Sequence, residues 1–137
     1  MRHERLTAAS CLAAMLLVAA PTAQAADNWV KLAPLANSGG TLYLDQDSLE
    51  RSADGTVRAT SRDAYDAPRQ LSNGKAYQYD ARTSVYDCKN ARILPVSARI
   101  EDSQHGTVLA KTIDGPRWEA VVPNSEGEAI LRAVCRK

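Results

Sequence analysis

Cys88 and Cys135 stand 47 positions apart in a 137-residue chain, and the one other cysteine, Cys11, lies in an apolar run near the N-terminus. A covalent link between the two distant cysteines would dictate which segments must meet, so their redox state constrains the fold more than any other feature. The N-terminus bears on that state. Arg2, His3 and Arg5 precede fifteen uncharged residues, Leu6 to Ala20, followed by Pro21 and the small-x-small triplet Ala23-Gln24-Ala25. This is the pattern of a secretory signal peptide. Fifteen residues at about 1.5 Å rise fall short of the roughly 30 Å hydrocarbon core, so a permanent transmembrane helix is the weaker reading. Cleavage after Ala25 is expected, making residues 1–25 the signal and 26–137 a single domain. A lipidated Cys11 fits less well. Ala8-Ala9-Ser10 precede it without a leucine at the third upstream position, and the apolar run continues beyond it.

Export delivers the chain to an oxidising space in which Cys88 and Cys135 are the only cysteines left, and two cysteines allow one intramolecular pairing. A loop of about 48 residues closed by a disulfide contributes roughly 4 kcal/mol in the chain-entropy account. The rival reading, a catalytic thiol or a metal pair, needs further ligands. The exported segment offers one histidine, His105, and no CxxC. Removing 25 of 137 residues leaves 112, with fifteen basic and fifteen acidic side chains, so no net field draws the domain to nucleic acid or a membrane surface. A domain of this size buries roughly two-thirds of its unfolded surface. With no Phe, two Trp and five Tyr, its core must rest largely on aliphatic residues.

The exported segment reads as strands followed by one helix. Trp29 to Ala33 is a first strand, Asn37-Ser38-Gly39-Gly40 a turn, and "TLYLD" (Thr41 to Asp45) a second strand with Leu42 and Leu44 on one face. Asp54-Gly55 predicts a type I′ hairpin leading into Thr56 to Tyr65. Residues 66–75, with Pro68 and Asn73-Gly74, read as the longest exposed loop. Ala76 to Asp87 is a long strand, and Cys88-Lys89-Asn90 a turn. "ARILPVSARI" has apolar positions at Leu94, Val96, Ala98 and Ile100, and its Pro95 implies an edge strand or a bulge. Gly106 opens a last strand to Ile113. After Pro123, Asn124 and Ser125 are good N-caps, Glu126 and Glu128 occupy a first helical turn, and Arg132 and Arg136 follow near the end. Ile130, Leu131, Val134 and Cys135 form one apolar stripe, so the bridge would clamp that face onto the sheet. Strict alternation places Cys88 with Ser84 and Tyr86. Either the helix covers a rather polar face or a bulge near Asp87 reverses the register.

Taken in order, the early Trp29, "LYLDQDSL" with Asp45 and Ser48, "YDC" at 86–88, and the closing "RWEAVVPNSEGEAILRAVC" resemble the surface-adhesin protein E family of Gram-negative bacteria. The resemblance runs from about Trp29 to Cys135. It implies an α+β fold: a six-stranded antiparallel sheet with a C-terminal helix tethered to one face by the Cys88–Cys135 disulfide. It also implies a non-enzymatic module at the cell surface or in the periplasm, since the family's namesake is a dimeric adhesin that binds host proteins such as vitronectin and laminin. A homodimer, formed by sheet edges or by the face opposite the helix, and host matrix or serum proteins as partners, are therefore expected. The alternative is a periplasmic structural or envelope protein with no host ligand.

The side chains agree with a binding role. There is no G-x-S-x-G and no HExxH, and His105 reads as a turn residue. "DQDSLERSADGT" suggests a calcium loop, but an EF-hand from Asp45 wants Gly at 50 and Glu at 56, where this chain has Glu50 and Thr56. No catalytic, metal or cofactor residue is assigned. Arg58, Arg62, Arg82, Arg92 and Arg99 on strands could form a basic stripe for an acidic partner, although Asp63, Asp66, Asp80 and Asp87 interleave with them. Tyr65, Tyr77, Tyr79 and Tyr86 read as interface anchors or as cross-strand pairs supporting the sheet.

Overall fold

A computed structural model describes residues 28–136; the expected signal peptide, residues 1–25 with Cys11, lies outside the described residues. Seven strands and one helix follow in order: β1 (Trp29–Pro34), β2 (Gly40–Arg51), β3 (Thr56–Gln70), β4 (Ala76–Asp87), β5 (Arg92–Glu101), β6 (Thr107–Thr112), β7 (Glu119–Ala120) and α1 (Glu126–Val134). The first six form an antiparallel meander in chain order, as expected of strands joined by short turns. The seventh, two residues long, was not foreseen; it pairs with the start of β5, at Arg92 and Ile93.

Alternation decides which side is core. Leu42 and Leu44 of β2, Val57 and Ala59 of β3 and Tyr86 of β4 share one face and are buried there under Ile130 and Val134 of α1. Ser125 caps the helix, taking the Glu128 N–H, while the Glu128 carboxylate takes the Asn124 N–H in return. Cys135 ends the helix and is bonded to Cys88, with Cα atoms 5.6 Å apart. The register between β3 and β4 runs unbroken from Thr56↔Asp87 to Ala64↔Tyr79, so Cys88 keeps the face of Tyr86 and Ser84. No bulge intervenes: the helix covers a partly polar face, with Ser61, Asp63 and Ser84 buried on it.

Three local expectations need correction. The Asp54-Gly55 hairpin forms, but only Gly55 has positive φ, at 86°, and its N–H bonds the Ser52 carbonyl. This is a type I turn closed by a glycine in the left-handed region rather than type I′; Asp54 is bound instead to the Thr56 N–H and hydroxyl. Residues 66–75 are not one long loop. β3 continues to Gln70, and pairing resumes at Arg69↔Tyr77 after an irregular stretch around Pro68, leaving a short turn from Leu71 to Lys75. "DQDSL" bulges β2 between Asp45 and Glu50 without ending it.

Pro95 realises the second of its two expected alternatives, a bulge. It does not make β5 an edge, since β4 lies on one side and β6 and β7 on the other. Its missing N–H falls between the pairings with β6 and β7. The register against β4 skips Val96, from Ser84↔Pro95 to Thr83↔Ser97, so Leu94 faces away from the helix while Ala98 and Ile100 face its side. The apparent apolar face of this strand is thus divided between the two sides of the sheet.

Candidate functional site

The side of the sheet away from α1 carries no layer of secondary structure among the described residues. The registers arrange its side chains in rows across the strands. One row runs Trp29, Asp45, Thr60, Thr83, Ser97, Thr112; the next runs Lys31, Tyr43, Arg62, Ala81, Arg99, Ala110. A third brings Tyr79 beside Glu101 and Glu101 beside Thr107. Small residues in the middle and larger ones around them leave a groove of about 700 Å³. Ala81 lies in its floor with Arg62 and Arg99 on either side.

Arg62 is the centre of this face. Its guanidinium carbon lies 4.1 Å from the centroid of the Trp29 ring and 4.8 Å from that of Tyr79, with Tyr43 at 6.0 Å. Such cation–π contacts hold a planar cation without neutralising it. Tyr79 in turn stacks on His105, centroids 4.4 Å apart and planes at 22°. His105 has φ 63° in the turn between β5 and β6, and its Nδ1 is 3.4 Å from Glu101. The Glu101 carboxylate, almost wholly buried, also accepts from Arg99 Nε at 2.5 Å. Thr60 and Thr83 share a hydrogen bond of 2.9 Å. The arrangement is therefore a ladder of aromatic rings, cations and hydroxyls. It can recognise a polar surface; within the described residues it pairs no nucleophile with a base.

The structure sorts the arginine and tyrosine candidates by face. Arg58, Arg62, Arg92 and Arg99 lie on the side away from the helix; Arg82 lies on the helix side, bound to Asp80 through two hydrogen bonds. Asp63 and Asp80 are on the helix side too, beside Arg82, whereas Asp87 shares the other side with Arg92. Asp87 holds Arg92 and the turn N–H groups of Lys89 and Asn90, and these bonds keep its carboxyl well below the usual range. Arg99 is taken by Glu101. Among the described residues Arg58 and Arg62 have no carboxylate within 4.0 Å, and the Arg62 Nε and Trp29 indole nitrogen are buried without a hydrogen-bond partner.

Of the tyrosines, Tyr65 and Tyr86 belong to the core, and Tyr77 packs edge-on against Tyr65 with centroids 6.0 Å apart. Burial pushes the Tyr86 hydroxyl up to about 12. Tyr79 alone of those four lies on the groove side of the sheet, against Arg62 and His105. Sequence reasoning missed Trp29, Tyr43 and Glu101. Their common signal was strand register, which links residues far apart in the chain and is not written in any one segment.

No group of three His, Cys, Asp or Glu side chains is placed to hold a metal ion among the described residues, and none of the described helices is long and apolar enough to cross a membrane.

The comparisons with known proteins converge on one fold. A family model described as surface-adhesin protein E matches residues 29–136. A crystal structure of protein E from non-typeable Haemophilus influenzae aligns with a TM-score of 0.58 at 14% identity, covering 85% of this chain and 81% of that one. Crystal form II of H. influenzae protein E gives 0.55 at 16%, covering 77% and 95%. A further H. influenzae protein E structure gives 0.54 at 17%, covering 80% and 94%. No curated protein sequence matches. At these identities the structural likeness speaks for the fold alone.

Proposed function

The chain belongs to the surface-adhesin protein E family, and on that premise we propose that it is an exported, non-enzymatic binding module whose working surface is the sheet face opposite α1. The observation that carries this reading is the Arg62 ladder. A cation held between Trp29 and Tyr79, with no carboxylate of the described residues within 4.0 Å, beside a groove of about 700 Å³, is organised to receive an acidic or carbonyl-rich surface. Host matrix or serum proteins are the partners this reading names. Export through removal of residues 1–25, and residence at the outer surface or in the periplasm, belong to the same proposal. So does a homodimer joined at the sheet edges, β1 or β6, which leaves the groove face free.

Protease shaving of intact cells, with a soluble periplasmic marker as control, tests the placement. Digestion of the chain while the marker survives, together with retention of the purified protein on immobilised serum and matrix proteins, is the expected result. Protection equal to that of the marker, with no retention, would replace this reading by that of a periplasmic envelope protein without a host ligand. Light scattering at micromolar concentration tests the dimer, and a monomer mass would refute it.

A further inference from the structure

The helix-bearing face has an opening of its own. α1 packs mainly over β1, β2 and β3 and reaches Tyr86 and Ile93 only by its edge, which leaves part of the same face of β4 and β5 open. A pocket of about 340 Å³ lies there, beside the first turn of the helix. Leu42, Tyr86, Ile93, Ile113 and Ile130 give it apolar walls, and Gly127 lets the helix approach Ile93 closely. Its charged lining is unbalanced: Asp63, Glu119 and Glu126 against Arg82.

Asp63 is the informative member. It is largely buried, its side chain 10% exposed, and its carboxylate accepts no hydrogen bond from another described residue while its oxygens remain open to the pocket. Its nearest cation is Arg82, at 3.8 Å, and that guanidinium is already engaged with Asp80, at 2.6 Å. Burial, followed by the charge of Glu126, pushes Asp63 up to about 6, so near neutrality it is mostly ionised at a cost. Among the described residues no N–H of the helix N-terminus bonds Asp63; the Ser125 hydroxyl takes the Glu128 N–H.

We propose that this pocket binds a primary ammonium group carried on an unbranched apolar stem, with the nitrogen at Asp63, the stem along Tyr86, Ile93 and Ile130, and Glu119 and Glu126 at the mouth. A primary ammonium has a pKa near 10.4, so it remains charged wherever Asp63 is ionised. It offers three donors to a carboxylate that lacks them, and the stem replaces water on the apolar walls. A free alkylamine and a lysine side chain of another protein present the same chemistry. The site is on the opposite side of the sheet from the Arg62 groove and stands independently of the function proposed for that groove.

Titration of the ¹⁵N-labelled protein with n-hexylammonium, n-hexanol and hexanoate at pH 7.5 tests the proposal. Saturable shifts are expected at the amides of Ser61, Asp63, Ser84 and Gly127 with the ammonium, at least tenfold tighter than with the alcohol and absent with the carboxylate. Asp63→Asn should weaken ammonium binding at least tenfold while α1 keeps its hydrogen-exchange protection. Should that variant misfold, the double variant Glu119→Gln/Glu126→Gln must lower affinity several-fold. A short lysine-bearing peptide in a parallel arm separates the sources: tighter binding than hexylammonium marks a protein side chain, weaker binding a free amine. Equal affinity for alcohol and ammonium, shifts elsewhere, or unchanged binding in the carboxylate variants would overturn it.

Discussion

Replacing both Cys88 and Cys135 by Ser removes the covalent link and leaves every other contact of α1 in place. Those contacts are few. Ile130 and Val134 are the buried residues of the helix, worth about 1.5–3 kcal/mol each. Arg51 Nη1 donates to the Val134 carbonyl at 2.9 Å, a charge-assisted bond of about 1.5–3 kcal/mol net. The disulfide closes a loop with a sequence separation of 47, which constrains the unfolded chain by about 4 kcal/mol, comparable to the helix's best apolar contacts together. A small domain holds about 5–15 kcal/mol in all, so the variant should fold yet be marginal. Urea denaturation should show a lower midpoint, with about 3–4 kcal/mol lost. Native-state hydrogen exchange should show where: amides from Ala129 to Val134 lose protection first, while β3 and β4, paired on both sides at the centre of the sheet, remain slow. An unchanged midpoint, or β4 opening before the helix, would refute the reasoning.

Three further outcomes follow from individual residues. Asp63 has a folded-state value of about 6 against 3.8 unfolded, so its burden is absent below pH 3.8, grows as pH rises through 6 and persists above; burial sets most of the size, with Glu126 and Asp80 adding to it and Arg82 and Arg69 offsetting it. Asp63→Asn should therefore stabilise the fold at pH 7.5 by about 1–2 kcal/mol, after allowance for solvent reaching the pocket, and by nothing at pH 3.5; an equal effect at both values contradicts this. Gly40 has φ 153° at the start of β2, and a Cβ there would lie 2.4 Å from the Ala64 carbonyl oxygen. Gly40→Ala should cost about 1–3 kcal/mol in thermal unfolding, and a neutral result would show that the β2–β3 approach is looser than described. Intact-mass measurement of exported protein should give a chain beginning at Ala26, and a retained apolar segment or a lipid on Cys11 would sink the assignment.

The strand pattern, the helix and the disulfide were legible because each is written locally. Period-two alternation marked Leu42 and Leu44, Ser125 with Glu128 marked the helix start, and cysteine arithmetic left one partner for Cys88. Pro95 announced an irregularity, yet its sequence could not say whether a neighbouring strand stopped there or the strand bulged. That depended on where β6 and β7 pair, which is a tertiary matter. The groove was largely illegible for the same reason. Trp29, Arg62, Tyr79 and His105 come from β1, β3, β4 and the β5–β6 turn, and only the registers bring them together. His105 looked like an ordinary turn histidine because its Tyr79 contact spans 26 positions of chain. The mixed charges of the strands misled in a related way, since neighbours along a strand face opposite sides of the sheet.

The central claim is that binding is carried by the face opposite the helix. Its most direct test is the affinity of the purified protein for an immobilised host serum or matrix protein that retains it, compared with that of Arg62→Ala and of Arg82→Ala, each checked for an unchanged melting profile. Arg62 lies in the groove and Arg82 on the helix side, so the pair separates the two faces with the same chemical change. The account predicts at least a tenfold loss for Arg62→Ala and none for Arg82→Ala. Undiminished binding by Arg62→Ala, or a loss confined to Arg82→Ala, would contradict it.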